Sequence, residues 1–304
     1  MVFISSYYYL DEYNQLKENF EAETKAPSTI ILLHNEKDYH YEIIESIMIS
    51  IERIARQKIQ SPIFYLDLEG NDPSFKDYLS SKYSNIKWDR PSFYHYYVEV
   101  SFYKEQFATY RNDSRHFYIA HEISPELQVK KNIYFITPLS KNYISCHKLP
   151  FQEIKKEFKT DIPIYIVQGN LDETRRDFSL LVKLLSQSYP FDFRIKLVGR
   201  GDIPTSLQKF SDKIIVKNNL NFQEFHAEFL NGYCLFPLVS IDKNPSYYIN
   251  KLTSSVNYII GYQLKCIIDY DLQNIYNFDN AYIYHTPSDI QKTFLMSLID
   301  FYKK

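Results

Sequence analysis

Arg175 and Arg176 follow closely on Gly169-Asn170 in the stretch IPIYIVQGNLDETRRDFSLLVKLLSQSYPFDFRIKLVGRGD, residues 162 to 202. An arginine pair after a sharp turn can grip a phosphate bidentately, and a helix start adds backbone N–H groups for the same anion. The plainer alternative is a solvated Arg175 and an Arg176 paired with Asp177 or a neighbouring helix. The next apolar run ends at Gly199-Arg200-Gly201, so three of the six glycines in the chain sit at two strand ends. Such clustering marks a need for positive φ or close backbone approach to a ligand. A further set, Lys251, Thr253, Ser254 and Ser255, offers a positive charge, hydroxyls and backbone N–H groups near a helix start. These are the groups a diphosphate needs, although an ordinary helix cap with a solvated lysine has the same sequence. For proton transfer the candidates are His121, after the run HFYIA, and His40, in DYHYE before the first long helix, with Glu122 and Glu42 behind them.

A metal centre is not expected. Cys146, Cys234 and Cys266 are far apart and lack any CxxC or His-rich ligand spacing. Asp269-Tyr270-Asp271 has the spacing of two hard carboxylate ligands, but it follows a late strand and reads as a strand-end turn. The chain contains no P-loop, no GxSxG elbow and no HExxH helix.

The elements that must position these residues alternate. Thr29 to Leu33 reads as a strand, and Ile44, Ile47, Met48, Ile51 and Ile54 step at helical spacing after it. Strands follow at Ile63 to Leu68, Phe93 to Phe102, Phe117 to Ala120 and Ile133 to Ile136, with a helix at Pro73 to Tyr83. Lys148 to Asp161 reads as a link. A second series has strands at Ile164 to Val167, Arg194 to Val198, Lys213 to Val216, Tyr233 to Leu238 and Lys265 to Asp269. Helices lie between them, one stopped by Gly261, and a last helix begins near Ile290. This βαβ rhythm predicts an α/β protein with mostly parallel sheets, in two domains, 1–150 and 151–304.

Composition sets the class. The 304 residues are 45% hydrophobic and 24% charged, as in a globular protein, with 29 Tyr and 22 Phe. Tyrosine packs its ring and leaves its hydroxyl wet, so many of these side chains cover half-buried surface. A net charge of -2 gives no footprint for nucleic acid. The start MVFISSYYYLDEYNQ has neither a basic leader nor a long apolar core, and no run reaches the length of a membrane span. The odd cysteine count adds to a cytoplasmic expectation.

Residues 162 to 269 resemble the C-terminal, donor-binding half of GT-B glycosyltransferases of the broad family 4 (group 1) type. The matching pieces come in order: IVQGN followed by RR, then RIKLVGRGD, then KIIVKNNLNFQEFHAEFLNGYCLFPLV, then YYINKLTSSVNYIIGYQLKCII. The first half is similar only to a generic Rossmann-like domain, with its IAHEIS segment where such enzymes often keep a functional histidine. The chain departs from the family at its paired glutamates, which approach the sugar and the ribose. The corresponding segment runs from Asn250 to Asn257 without either.

The resemblance implies two Rossmann-like domains facing across a cleft, the first on the acceptor side and the second on the donor side. It implies a hexosyl- or pentosyltransferase using a nucleotide-diphosphate sugar, UDP- or GDP-linked, without a tightly bound cofactor or a metal. The partner would be a carbohydrate, glycan or glycosylated acceptor, with peripheral membrane contact left open. The donor contacts would be Gly169, Asn170, Arg175 or Arg176, Gly199, Arg200, Lys251, Thr253, Ser254 and Ser255. The acid–base group would come from His121, His40 and Glu122. An epimerase or hydrolase of nucleotide sugars, or a binding protein that keeps the fold, are the alternatives.

Overall fold

The computed structural model describes residues 29–35, 41–55, 62–70, 72–144, 149–150 and 160–303. His40 lies outside them, as does Cys146. The chain divides into two units: Met1–Lys148 together with Asn250–Leu252, and Leu149–Ile249 together with Thr253–Lys304. Each is built on a six-stranded sheet whose paired strands are all parallel.

The first unit holds β1 (Ile30–Asn35), α1 (Tyr41–Ala55), β2 (Ile63–Leu68), α2 (Pro73–Lys82), β3 (Ile86–Lys87), β4 (Tyr96–Phe102), β5 (His116–Ala120), α3 (Pro125–Gln128) and β6 (Ile133–Phe135). Ile43, Ile44, Ile47 and Met48 of α1 are buried, which is the stripe that the sequence spacing demands. Asp72 starts α2 by accepting hydrogen bonds from the backbone N–H groups of Ser74 and Phe75, with Pro73 supplying a fixed φ in the first turn. Strand order is β3-β2-β1-β4-β5-β6, so the order reverses between β1 and β4. The strand expected from Phe93 begins only at Tyr96.

The second unit repeats the plan. It holds β7 (Ile164–Asn170), α4 (Phe178–Leu185), β8 (Arg194–Arg200), β9 (Ile214–Asn218), α5 (Phe222–Ala227), β10 (Cys234–Leu235), α6 (Ser246–Ile249), α7 (Ser254–Gly261), β11 (Lys265–Asp269), α8 (Tyr270–Tyr276), β12 (Ala281–Tyr284) and α9 (Ile290–Tyr302). The order is β12-β11-β10-β7-β8-β9, reversing between β7 and β10. β7 is buried on both faces, as a central parallel strand must be. Tyr165 and Val167 join one core with α4 and α9, and Ile164 and Ile166 join the other with Tyr258 and Ile259 of α7.

Three expectations change in detail. The strand read at Tyr233 to Leu238 shrinks to Cys234–Leu235. Pro237 has no N–H for the ladder, and Leu238 turns left-handed at φ 51°. Gly261 does not stop α7 in the glycine manner. Gln263 takes the left-handed position at φ 51° instead, while Leu264 N donates to Ile259 O at 3.0 Å. The turn read at Asp269 is a helix start, with Asp269 Oδ1 accepting from Leu272 N at 2.9 Å.

A polar knot fastens α9 to the sheet. Lys265 Nζ donates to Tyr282 Oη at 2.6 Å, and Tyr282 donates to Asp300 Oδ2 at 2.9 Å. Replacing Tyr282 by Phe removes both links and should lower stability by about 1 kcal/mol. An unchanged urea midpoint would show that the knot contributes nothing.

Candidate functional site

Ligands of open parallel sheets bind beyond the carboxyl ends of the strands, near the order reversal. In the second unit that edge begins with β7, which ends Gln168-Gly169-Asn170, and its neighbour β8, which ends Gly199-Arg200. The two ends lie side by side, Gly169 against Gly199 and Asn170 against Arg200.

The glycines do different work. A Cβ on Gly199 would lie 1.7 Å from Gly169 O, so Gly199 exists to let the strands approach. Gly169 turns at φ 118°, and a Cβ there would lie 2.3 Å from Arg176 Nη2. It thereby clears space for a guanidinium. Gly201 turns at φ 102°, and a Cβ there would meet only ordinary contacts, none closer than 3.6 Å. Asn170 and Arg200 are exposed.

The two arginines separate completely. Arg175 is exposed, whereas Arg176 is only 4% exposed. Arg176 folds back under β7 and donates from Nε and Nη2 to Gln168 O, at 3.1 and 2.7 Å. Among the described residues no carboxylate partners it, and the pairing with Asp177 that was the plainer alternative is absent. Asp177 instead takes Lys243 Nζ at 3.0 Å and Ser179 Oγ at 2.5 Å. Burial lowers the Arg176 pKa, and the Tyr247 side chain opposes that by favouring the charged form. A guanidinium stays protonated even so. At Asp177 burial alone would raise the pKa, but the bonds from Ser179 and Lys243 and the lysine charge hold it below the carboxylate range.

Gln168 joins this corner to the start of α7. Its amide Nε2 donates to Ser254 Oγ at 3.3 Å, and its Oε1 accepts from Ser255 Oγ at 3.2 Å. Thr253 is the residue before the helix, yet its side chain makes no cap bond. Thr253 Oγ1 and, one turn on, Asn257 Oδ1 are buried without a hydrogen-bond partner, their residues 1% and 2% exposed. Buried polar atoms of this kind normally have a partner. Among the described residues this one edge therefore combines a buried cation lacking a counter-charge, a helix start and unspent polar atoms.

Not every expected residue gathers there. Lys251 belongs with the first unit, where it forms an antiparallel bridge with Glu122, flanked by Ile123 N donating to Asn250 O at 2.8 Å. Glu122 is exposed and accepts from Asn250 Nδ2 at 3.0 Å. His121 is 3% exposed, stacked on Tyr103 at 5.4 Å, with Nε2 3.4 Å from Val100 O. Its ring in this structure is closed to a substrate hydroxyl. Two residues that sequence reasoning passed over enter the site, Gln168 and Tyr247. The one available signal was a polar Gln168 at the end of an otherwise apolar run.

Among the described residues no group of His, Cys, Asp and Glu is arranged to hold a metal ion, and no helix is long and apolar enough to cross a membrane. No protein-family model matches the sequence, and neither does any curated protein. Solved structures do match in shape. A glycosyltransferase from Rickettsia africae ESF-5 aligns with TM-score 0.54 at 12% identity, over 92% of this chain and 91% of its own. The N-terminal domain of Candida albicans trehalose-6-phosphate phosphatase aligns with TM-score 0.49 at 7% identity, over 91% and 95%. A putative UDP-N-acetylglucosamine 2-epimerase from Listeria monocytogenes gives 0.45 at 9%, over 90% of this chain and 89% of its own. Identity this low speaks for architecture alone. With two parallel six-stranded sheets, each reversing its order at the centre, this chain has the α/β GT-B glycosyltransferase fold, built of two Rossmann-like units.

Proposed function

We propose that this protein transfers a sugar from a nucleoside-diphosphate sugar, UDP- or GDP-linked, to a hydroxyl of a carbohydrate acceptor, as a cytoplasmic enzyme of carbohydrate biosynthesis. The observation that carries this reading is Arg176, a buried guanidinium with no carboxylate partner among the described residues, at the strand edge where ligands bind. A cation held in low dielectric favours an anion that can reach it. The diphosphate would take Arg176, the N–H groups at the start of α7 and the hydroxyls of Thr253, Ser254 and Ser255. Gly169, Asn170 and Arg200 would border it, with Arg175 and Gly199 behind.

The chemistry follows from that seat. The acceptor oxygen forms a bond to the anomeric carbon. The bond from that carbon to the diphosphate oxygen breaks, and its electron pair leaves with the diphosphate. Fixed positive groups stabilise the charge developing there, which makes a metal unnecessary. The first unit supplies the acceptor side, where exposed Glu122, beside Lys251, or His40 takes the proton of the attacking hydroxyl, His121 being closed to it in this structure.

The test is calorimetry with UDP, GDP, CDP and ADP, followed by product analysis with the labelled sugar of whichever nucleotide binds. We expect submillimolar binding of one diphosphate and transfer to a glycan, changed less than about twofold by EDTA. Absence of binding across the panel would overturn the reading. Release of free or epimerised sugar alone would replace transfer by hydrolysis or epimerisation. Transfer that stops with EDTA and returns with Mn²⁺ would assign the diphosphate to a metal instead.

A further inference from the structure

Glu122 lies in the short connection between β5 and α3, just past the carboxyl end of β5. That is the edge of an open parallel sheet where ligands bind. Glu122 is exposed, and Asn250 donates from Nδ2 to its Oε1 at 3.0 Å. The same Nδ2 faces Ile123 O at 3.4 Å. A carboxylate and a carbonyl only accept, so the amide nitrogen of Asn250 is the atom that points this way. Among the described residues no hydrogen bond or ion pair reaches Glu122 Oε2.

Asn250 is itself held through its backbone. Its carbonyl accepts from Ile123 N at 2.8 Å, and Lys251 forms the antiparallel bridge with Glu122. Main chain therefore fastens residues 250–252 to the first unit, and the Asn250 side chain is left to act on Glu122. An amide orients a carboxylate without neutralising its charge. The chain returns to the second unit at Thr253, and Ser254 and Ser255 open α7. One short segment thus carries the group that orients a carboxylate at its start and the hydroxyls of the phosphate seat at its end.

We propose that Glu122, rather than His40, is the proton acceptor of the transfer, and that Asn250 is its positioning residue, the bond to Oε1 turning Oε2 toward the acceptor hydroxyl. The proposal rests on the transferase reading above. As the acceptor oxygen bonds to the anomeric carbon, its proton passes to Glu122 Oε2, and the diphosphate leaves with the electron pair of the broken bond. Water takes the proton from Glu122 once the product has departed. A base works within about 2.6–3.2 Å of the hydroxyl that it serves, and a third group that orients the base keeps it there. Asn250 is that third group, and its own place is set by backbone bonds that do not depend on its side chain.

The test is a double-mutant cycle on transfer, with the donor and acceptor found by product analysis, and calorimetry of the nucleoside diphosphate on each variant. Glu122→Gln keeps an oxygen for the Asn250 amide but cannot take a proton, and should lower kcat by about 10²- to 10⁴-fold. Asn250→Ala leaves the carboxylate but frees it, and should lower kcat by about five- to twentyfold, short of the roughly hundredfold that a 1 Å misplacement can cost. Added to Glu122→Gln, Asn250→Ala should change the residual rate by less than about twofold, because its effect passes through the carboxylate. Diphosphate affinity should stay within about twofold in all variants, since neither side chain belongs to the phosphate seat. A folded Glu122→Gln protein that transfers as the parent does would overturn the base. An equal loss from Asn250→Ala in both backgrounds would make Asn250 a merely structural residue and overturn its positioning role. A parent that binds no nucleoside diphosphate would overturn the transferase reading, and this proposal with it.

Discussion

Arg176→Met should weaken nucleoside-diphosphate binding by about 10- to 150-fold, because a hydrogen bond to a charged group contributes about 1.5–3 kcal/mol and each 1.4 kcal/mol is about tenfold. The methionine fills much of the space beneath β7 without a charge. Gln168 O loses two donors, at 3.1 and 2.7 Å, which lowers stability somewhat. Desolvating a guanidinium that has no carboxylate partner is itself unfavourable, and removing the charge offsets part of that loss. The chain should therefore fold, with a moderate shift of its thermal midpoint. Arg175→Met is the comparison, since Arg175 is exposed and its backbone N–H, not its guanidinium, makes the bond to Asp172 O. It should change affinity by less than about threefold. Calorimetry on both variants decides the matter. A folded Arg176→Met protein that binds as the parent does, or a larger loss at Arg175, would reject the site.

The largest effect on stability is expected at Gly199. An alanine methyl would be built 1.7 Å from Gly169 O and 2.7 Å from Gly169 C, both backbone atoms of the adjoining strand. Neither can rotate away, so β7 and β8 must separate at their paired ends. Overpacking of this sort lowers stability by roughly 3 kcal/mol or more. Gly201→Ala gives the contrast. Its φ of 102° strains an alanine, yet its methyl would meet nothing closer than 3.6 Å. That change should remain near 1 kcal/mol, the backbone penalty alone. Urea denaturation followed by circular dichroism compares them. Equal midpoints for the two variants would mean that the strands part freely at Gly199, and that the glycine serves a ligand after all.

Much of the architecture was legible in the residues. Apolar runs such as Ile164 to Val167 can satisfy both faces only as central strands, and the helical stripe around Ile44 to Met48 has one packing solution. The alternation of the two patterns forces parallel crossovers, whereas the reversal of strand order at the centre of each sheet is seen only in the structure. Strand ends marked by glycine were also visible, and so was the arginine pair beside them.

What the pattern does not carry is which atoms meet across long sequence separations. Arg175 and Arg176 are adjacent and chemically identical, and only the turn of the chain after Gly169 sends one into solvent and the other beneath β7. Lys251 reads as part of the Thr253 to Ser255 cluster, but three residues of backbone carry it over to Glu122. Lys196, in the apolar-looking run RIKLVG, is buried because Glu228 Oε2 at 2.8 Å and Asn231 Oδ1 at 2.7 Å lie ready to receive its ammonium. Local sequence determined the periods and the turns, since propensity and alternation act over a few residues. Burial of charge was decided by the tertiary structure, because a charged group is tolerated inside only where distant partners converge on it.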